Sequence, residues 1–94
     1  MVSPTTVNGK RSGHDIMLYA LSTCVWCNKT KKLLDTLGFE YRYLWVDKLS
    51  GRNEDEVMDE VRKFNPECTF PTLVVDGQKC IVGFREPEIR KALS

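Results

Sequence analysis

Cys24 and Cys27 stand two residues apart in the order Cys24-Val25-Trp26-Cys27. A pair of thiols at this spacing needs no metal and no organic cofactor to do chemistry. It passes between dithiol and disulfide and carries two electrons as it does so. The spacing has a geometric cause: three residues of helix rotate the chain by almost one turn, which brings the two sulfurs toward disulfide distance. The pair follows an apolar run and precedes a helical pattern, so the first cysteine falls at a helix N-terminus. The unpaired N–H groups there favour a thiolate, which makes Cys24 the expected nucleophile. Cys27 lies a turn further in, more shielded, and is the expected resolving thiol. Lys31 shares the face of Cys24 but sits about 10 Å further along the axis, where solvent screens it.

The two remaining cysteines, Cys68 and Cys80, could in principle complete a zinc site. They do not form a second Cys-x-x-Cys, and their spacing to the first pair is irregular for zinc. Cys68 reads as a loop cysteine and Cys80 as a small buried apolar residue. A structural disulfide across two intervening residues would constrain little chain. His14 is the single histidine and has no second imidazole with which to share a metal. No metal is expected.

The elements that must position the thiols follow from the hydrophobic periods. Ile16 to Ala20 reads as a buried strand. Thr30, Leu33, Leu34 and Leu37 recur at helical spacing after the cysteines, with Gly38 as a stop and Thr23 as the expected N-cap. Phe39 to Asp47 reads as a second strand, in which Tyr41, Tyr43 and Trp45 alternate with Arg42, Leu44 and Val46. Asn53 and Glu56 have capping-box spacing ahead of an apolar stripe of Val57, Met58, Val61 and Phe64, and Asn65-Pro66 ends that helix. Thr69-Phe70-Pro71 leads into a strand to Val75, Asp76-Gly77 turns a hairpin, and Gln78 to Val82 returns. Pro87 suits the first position of a closing helix. The order is β-α-β-α-β-β-α, an α/β chain with a mixed four-stranded sheet. Residues 1–14 carry no apolar period and read as a flexible tail before a domain at 15–94. The clusters Glu54, Asp55, Glu56, Asp59, Glu60 and Lys29, Lys31, Lys32 read as solvated helix faces.

Beside a redox pair, the proline of Thr69-Phe70-Pro71 reads as a cis proline facing the cysteines. That leaves the Phe70 backbone free to pair with an extended substrate as a short added strand. Trp26, Thr69, Phe70, Pro71, Gly83, Phe84 and Arg85 are therefore the expected substrate-binding residues. Trp45 and Tyr19 read as core.

Taken together, the Cys24-Val25-Trp26-Cys27 motif after a strand, Thr69-Phe70-Pro71, the Asp76-Gly77 hairpin and Gly83-Phe84-Arg85 resemble the glutaredoxin family over about Ile16 to Leu93. The resemblance implies a thioredoxin-like, glutaredoxin-type fold and thiol–disulfide oxidoreductase activity in electron transport and redox homeostasis. Three positions depart from the family pattern. Val25 and Trp26 replace the Pro-Tyr common between the cysteines. Leu21 stands where a lysine commonly binds a glutathione carboxylate, which removes a charge-assisted hydrogen bond of about 1.5–3 kcal/mol. Gly83-Phe84-Arg85-Glu86 replaces a Gly-Gly-acidic segment, and this turn and the motif resemble the NrdH-type redoxins. That subgroup is reduced by thioredoxin reductase and donates electrons to ribonucleotide reductase. The expected partners are thus disulfide-bearing proteins, ribonucleotide reductase among them, with glutathione, another low-molecular-weight thiol or a thioredoxin-reductase-type flavoprotein as the reductant. The rival from another class is an iron–sulfur cluster or metal carrier using the same cysteines.

The chain has 94 residues, enough for one domain, with 41% hydrophobic and 29% charged residues and a formal net charge of +1. That balance excludes wholesale disorder and lacks the basic footprint of a nucleic-acid binder. No apolar run reaches membrane-spanning length, and no basic-then-apolar leader precedes the domain. A reducing, cytoplasmic setting and a monomeric state are the corresponding expectations.

Overall fold

The run Ile16–Ala20 is buried at every position, and a strand with both faces covered belongs at the centre of a sheet. It does lie there. A computed structural model describes residues 2–94; Met1, part of the expected tail, lies outside the described residues. The elements are β1 (Thr5–Val7), β2 (Ile16–Ala20), α1 (Val25–Leu37), β3 (Tyr41–Trp45), a 3-10 turn (Val46–Lys48), α2 (Gly51–Phe64), β4 (Thr72–Val75), β5 (Lys79–Val82) and α3 (Glu86–Leu93). The sheet order is β1-β3-β2-β4-β5. β2 runs parallel to β3 and antiparallel to β4, which turns back into β5.

Alternation along β2 divides the core between two layers. Ile16, Leu18 and Ala20 meet Leu33 and Leu34 of α1 and Ile89 and Leu93 of α3. Met17 and Tyr19 point the other way, against Val57 and Val61 of α2. The sheet is therefore covered on both faces, and no helix among the described residues is long and apolar enough to cross a membrane.

The sheet has five strands where the sequence leads one to expect four. The additional strand lies in the segment expected to be a flexible tail: Thr5, Thr6 and Val7 pair antiparallel with Tyr43, Arg42 and Tyr41. This pairing covers the edge of β3, whose N–H and C=O groups would otherwise face water. The connection to β2 is also docked. Arg11 donates its N–H to Gly38 O (3.0 Å), accepts from Glu40 N–H (2.8 Å) and lays its guanidinium 4.4 Å from the centre of the Phe39 ring. Gly9 passes so close to the chain that a Cβ there would meet the Phe39 carbonyl carbon at 2.5 Å.

Other boundaries shift for local reasons. β3 is shorter than Phe39–Asp47, because Val46–Lys48 tightens into the 3-10 turn. α2 starts at Gly51 after Ser50, so Asn53 and Glu56 lie inside the helix and form no capping box at its end. Pro87 follows Glu86, the first residue of α3. Cys80 is half-buried on the edge strand β5, not enclosed as expected, and burial still raises its thiol pKa. The hairpin turn is as expected: Asp76 (φ 56°) and Gly77 (φ 66°) are both left-handed, as a turn of this hand requires. Asp76 is held there by the Asp15 N–H (2.9 Å) and by His14 Nδ1 (3.0 Å).

Two outcomes follow. Gly9→Ala should force the connection off the Phe39–Glu40 backbone and cost about 1–3 kcal/mol, as overpacking does. The Glu40 amide should then exchange faster with deuterium while β2 amides keep their protection; an unchanged Glu40 rate would count against the docking. His14, first, and the Asp15 N–H hold the Asp76 carboxyl below its ordinary pKa. Its stabilisation is thus complete above the ordinary carboxylate range and lost as pH falls through the lowered value. Asp76→Asn should lower the neutral plateau of the melting-temperature profile and flatten its acid side, so that the variant and the unmodified protein converge at low pH.

Candidate active site

Cys24 is the N-cap residue of α1. Its backbone is extended (φ −88°, ψ 121°), and its Sγ accepts the N–H of Cys27 at 3.3 Å. Thr23, the expected cap, lies one residue too early. The thiol takes the place that a serine or aspartate oxygen usually fills at a helix start. Cys24 is half-buried, whereas Cys27 has 0% exposure and packs with the core beneath α1. Burial, first, and the hydrogen bond with Cys24 push the Cys27 thiol pKa well above its ordinary value, against a backbone bond at Leu21 that lowers it.

The loop that delivers Cys24 is pinned from two sides. Asp47, in the 3-10 turn after β3, accepts from Ser22 N–H (2.8 Å) and Ser22 Oγ (2.5 Å). These bonds hold the Asp47 carboxyl below its ordinary pKa. Asn28, one turn into α1, donates to Ser22 O (3.2 Å) and Cys24 O (2.9 Å). Leu21 O accepts the Cys24 N–H at 3.2 Å, which closes the turn. Sequence reading passed over Ser22, Asn28 and Asp47. Their types suit loop bracing, but only the parallel pairing of β2 with β3 brings residue 47 beside residue 22.

Beside the thiols lies an open groove of about 330 Å³ lined by Trp26, Phe70, Pro71, Val82, Gly83, Phe84 and Arg85. Of the expected substrate-binding residues, all but Thr69 meet in it, and Val82 is an addition. The Phe70–Pro71 peptide bond is cis, and Pro71 O accepts the Gly83 N–H at 2.9 Å, tying the two loops together. Trp26 is 55% exposed and stacks on Phe84, with centroids 6.1 Å apart and planes 21° from parallel. Phe84 also packs on the core, so it serves as both wall and filling. Arg85 donates from Nε to Val82 O at 3.1 Å, which turns its guanidinium along the rim. Thr69 faces away: Asn65, itself buried, donates to Thr69 O (3.0 Å) and Oγ1 (3.1 Å) and to Thr72 Oγ1 (3.1 Å). Asn65 thus braces the proline loop from the end of α2, a role its place after the helix did not reveal. Tyr19 lies on the opposite sheet face, bonded to Glu60 at 3.1 Å. Trp45 is half-buried against the α1 layer of the core. Cys68 packs on the α2 side, and Cys80 sits on the edge strand. Among the described residues no three His, Cys, Asp or Glu side chains gather in a way that could hold a metal ion.

The match to known proteins agrees with this geometry. A glutaredoxin family model matches residues 16–81, most of the chain. The chain belongs to the glutaredoxin family. It is accordingly a thiol–disulfide oxidoreductase with the thioredoxin-like fold. The glutaredoxin of Methanosarcina mazei Go1 superimposes with a TM-score of 0.88 at 48% identity, covering 97% of this chain and 87% of that one. Methanosarcina acetivorans methanoredoxin superimposes with a TM-score of 0.87 at 45% identity, covering 92% and 90%. Glutaredoxin-1 of Bos taurus is 32% identical over 78 residues, 82% of this chain and 73% of that protein.

Two outcomes test the site. Iodoacetamide added to the reduced, folded protein at neutral pH should label Cys27 on the order of 100-fold more slowly than Cys24. Peptide mass mapping reads the two positions, and equal labelling before unfolding would contradict the burial described. Asp47→Ala removes both acceptors of Ser22. The Ser22 amide should lose hydrogen-exchange protection while β4 amides keep theirs.

Proposed function

We propose that the protein reduces disulfides in other proteins through the Cys24-Val25-Trp26-Cys27 motif, with Cys24 as nucleophile and Cys27 as resolving thiol. The observation that carries this reading is the inequality of the pair: Cys24 Sγ caps α1 and is half-exposed, and Cys27 is enclosed one turn behind it. The Cys24 thiolate attacks one sulfur of a substrate disulfide. A Cys24–substrate disulfide forms and the other substrate sulfur leaves as a thiolate, which takes a proton from water. Cys27 then gives up its proton and attacks the Cys24 sulfur. The Cys24–Cys27 disulfide forms, and the second substrate sulfur departs and is protonated. The substrate gains two electrons and the protein loses two. Trp26, Phe70, Pro71, Gly83, Phe84 and Arg85 orient the substrate, whose chain pairs with the Phe70 backbone. Thr69 contributes through the loop it braces.

Two electrons must then be returned, either by two equivalents of glutathione or another small thiol, or by a thioredoxin-reductase-type flavoprotein. Leu21 offers no charge to a glutathione carboxylate, and Arg85 is the groove's own cation. We assign the reaction to residues 15–94 acting as a monomer in a reducing, cytoplasmic setting, with the docked segment Thr5–Arg11 ahead of it. Ribonucleotide reductase fits the class of protein acceptor. A carrier of an iron–sulfur cluster or metal on the same cysteines would need donors from outside the chain, because no third donor joins them among the described residues.

Cys27→Ser should stop the reaction after the first exchange and leave the substrate bound to Cys24, read as an adduct by mass spectrometry. A Cys24 that stays free under those conditions sinks the proposal. Turnover with NADPH, compared between glutathione plus its reductase and thioredoxin reductase alone, identifies the donor. Brown protein with stoichiometric iron after oxygen-free purification would favour the carrier.

A further inference from the structure

The exposed face of α1 has a character that the exchange reaction alone does not call for. Val25 (65%) and Trp26 (55%) are the large hydrophobic side chains left exposed among the described residues, and both flank Cys24. Lys29 follows at i+4 from Val25 and Lys32 at i+7, so the four share one side of the helix. The Lys29 ammonium lies 4.7 Å from the centre of the Trp26 ring. An anion that binds Lys29 therefore comes to rest at the edge of the aromatic ledge.

Sequence reading took Lys29, Lys31 and Lys32 together as a solvated face, and their surroundings divide them. Lys31 is turned aside, pairing with Asp35 at 3.5 Å and lying over the Tyr43 ring at 5.1 Å. Lys29 and Lys32 have no carboxylate within ion-pair distance among the described residues, and α1 carries no acid in its first turn. The groove next to Trp26 adds Arg85, whose nearest carboxylate, on Glu88, is 3.8 Å away. The whole approach to Cys24 from this side is thus apolar, then cationic.

We infer that Val25, Trp26, Lys29 and Lys32 form a docking face for polypeptide substrates that carry an apolar side chain and acidic residues beside their reactive disulfide. This rests on the oxidoreductase reading above and adds a substrate class to it. Reach distinguishes a polypeptide from a small anionic thiol. Lys32 lies eight residues past Cys24, about 12 Å along the helix axis at 1.5 Å per residue. A small thiol joined to Cys24 fills the groove and leaves that lysine uncovered, whereas a chain running along the helix meets both cations. Exposed charges of this kind act on encounter and partner choice, and salt weakens them.

The test uses the full chain and three disulfide-bonded peptides that differ only at two positions flanking the cysteine, occupied by Glu, Gln or Lys. Stopped-flow measurement of the first exchange at low ionic strength should rank Glu above Gln above Lys. The Glu-to-Lys ratio should be about 10-fold, as for electrostatically steered encounters. It should fall toward one in 1 M salt, and a Lys29→Glu/Lys32→Glu double variant should invert it. A ratio within twofold in the unmodified protein, or a ratio the double variant leaves unchanged, overturns the docking face. So does a double-variant effect as large on glutathione disulfide as on the Glu peptide, because the cations would then serve a small anionic thiol. Bis(2-hydroxyethyl) disulfide, small and uncharged, separates the two levels. Its reduction without any charge preference among the peptides sinks the docking face alone. Failure to reduce it or any peptide sinks the oxidoreductase reading as well.

Discussion

One hydrogen bond organises the site: the Cys27 N–H given to Cys24 Sγ at 3.3 Å. It makes a thiol the cap of α1, so the atom that ends the loop is also the atom available for chemistry. The same bond places the second sulfur one turn inside the helix, where burial keeps it protonated. A serine cap would start the helix equally well and leave nothing to exchange. A cysteine on the sheet-facing side of the helix, with Thr30, Leu33 and Leu34, would be enclosed like its partner. The asymmetry between a reachable and an enclosed sulfur comes from the cap itself.

The rest of the fold keeps that cap in place. β2, covered on both faces, fixes where the loop begins. Asp47 and Asn28 hold the loop from the sheet and from the helix, so the turn from Leu21 to Cys24 is not left to its intrinsic preference. On the far side of the groove, the Pro71–Gly83 bond joins the loop before β4 to the loop after β5, and Asn65 braces the first of these from α2. Three segments distant in sequence thereby meet at one groove. Trp26 closes it by leaning on Phe84, which leaves one face of the indole and its lysine neighbour toward solvent.

Most of the fold could be read from residue order, because its signals are local. The helical recurrence of Thr30, Leu33 and Leu34, the left-handed stop at Gly38 and the Asp76-Gly77 turn depend on neighbours a few residues away, and the structure has them where expected. β1 escaped notice because three residues without an apolar period carry no local signal. It forms because β3 offers an unpaired edge, and that edge exists only once the sheet is assembled. The start of α2 and the cap of α1 were misplaced for a related reason. Several residue types can cap a helix, and tertiary placement of the loop selects among them.

By itself the sequence determined the spacing of the two thiols, the order of the elements from β2 onward and six of the groove's lining residues. Each of these rests on residue type and short spacing, which the chain carries wherever it goes. Tertiary structure alone decided that Thr69 turns from the groove, that Asp47 reaches Ser22, and that Lys29 and Lys32 stay without a carboxylate when Lys31 does not. These are outcomes of packing between segments far apart in the chain, and no spacing along one segment encodes what another will place beside it.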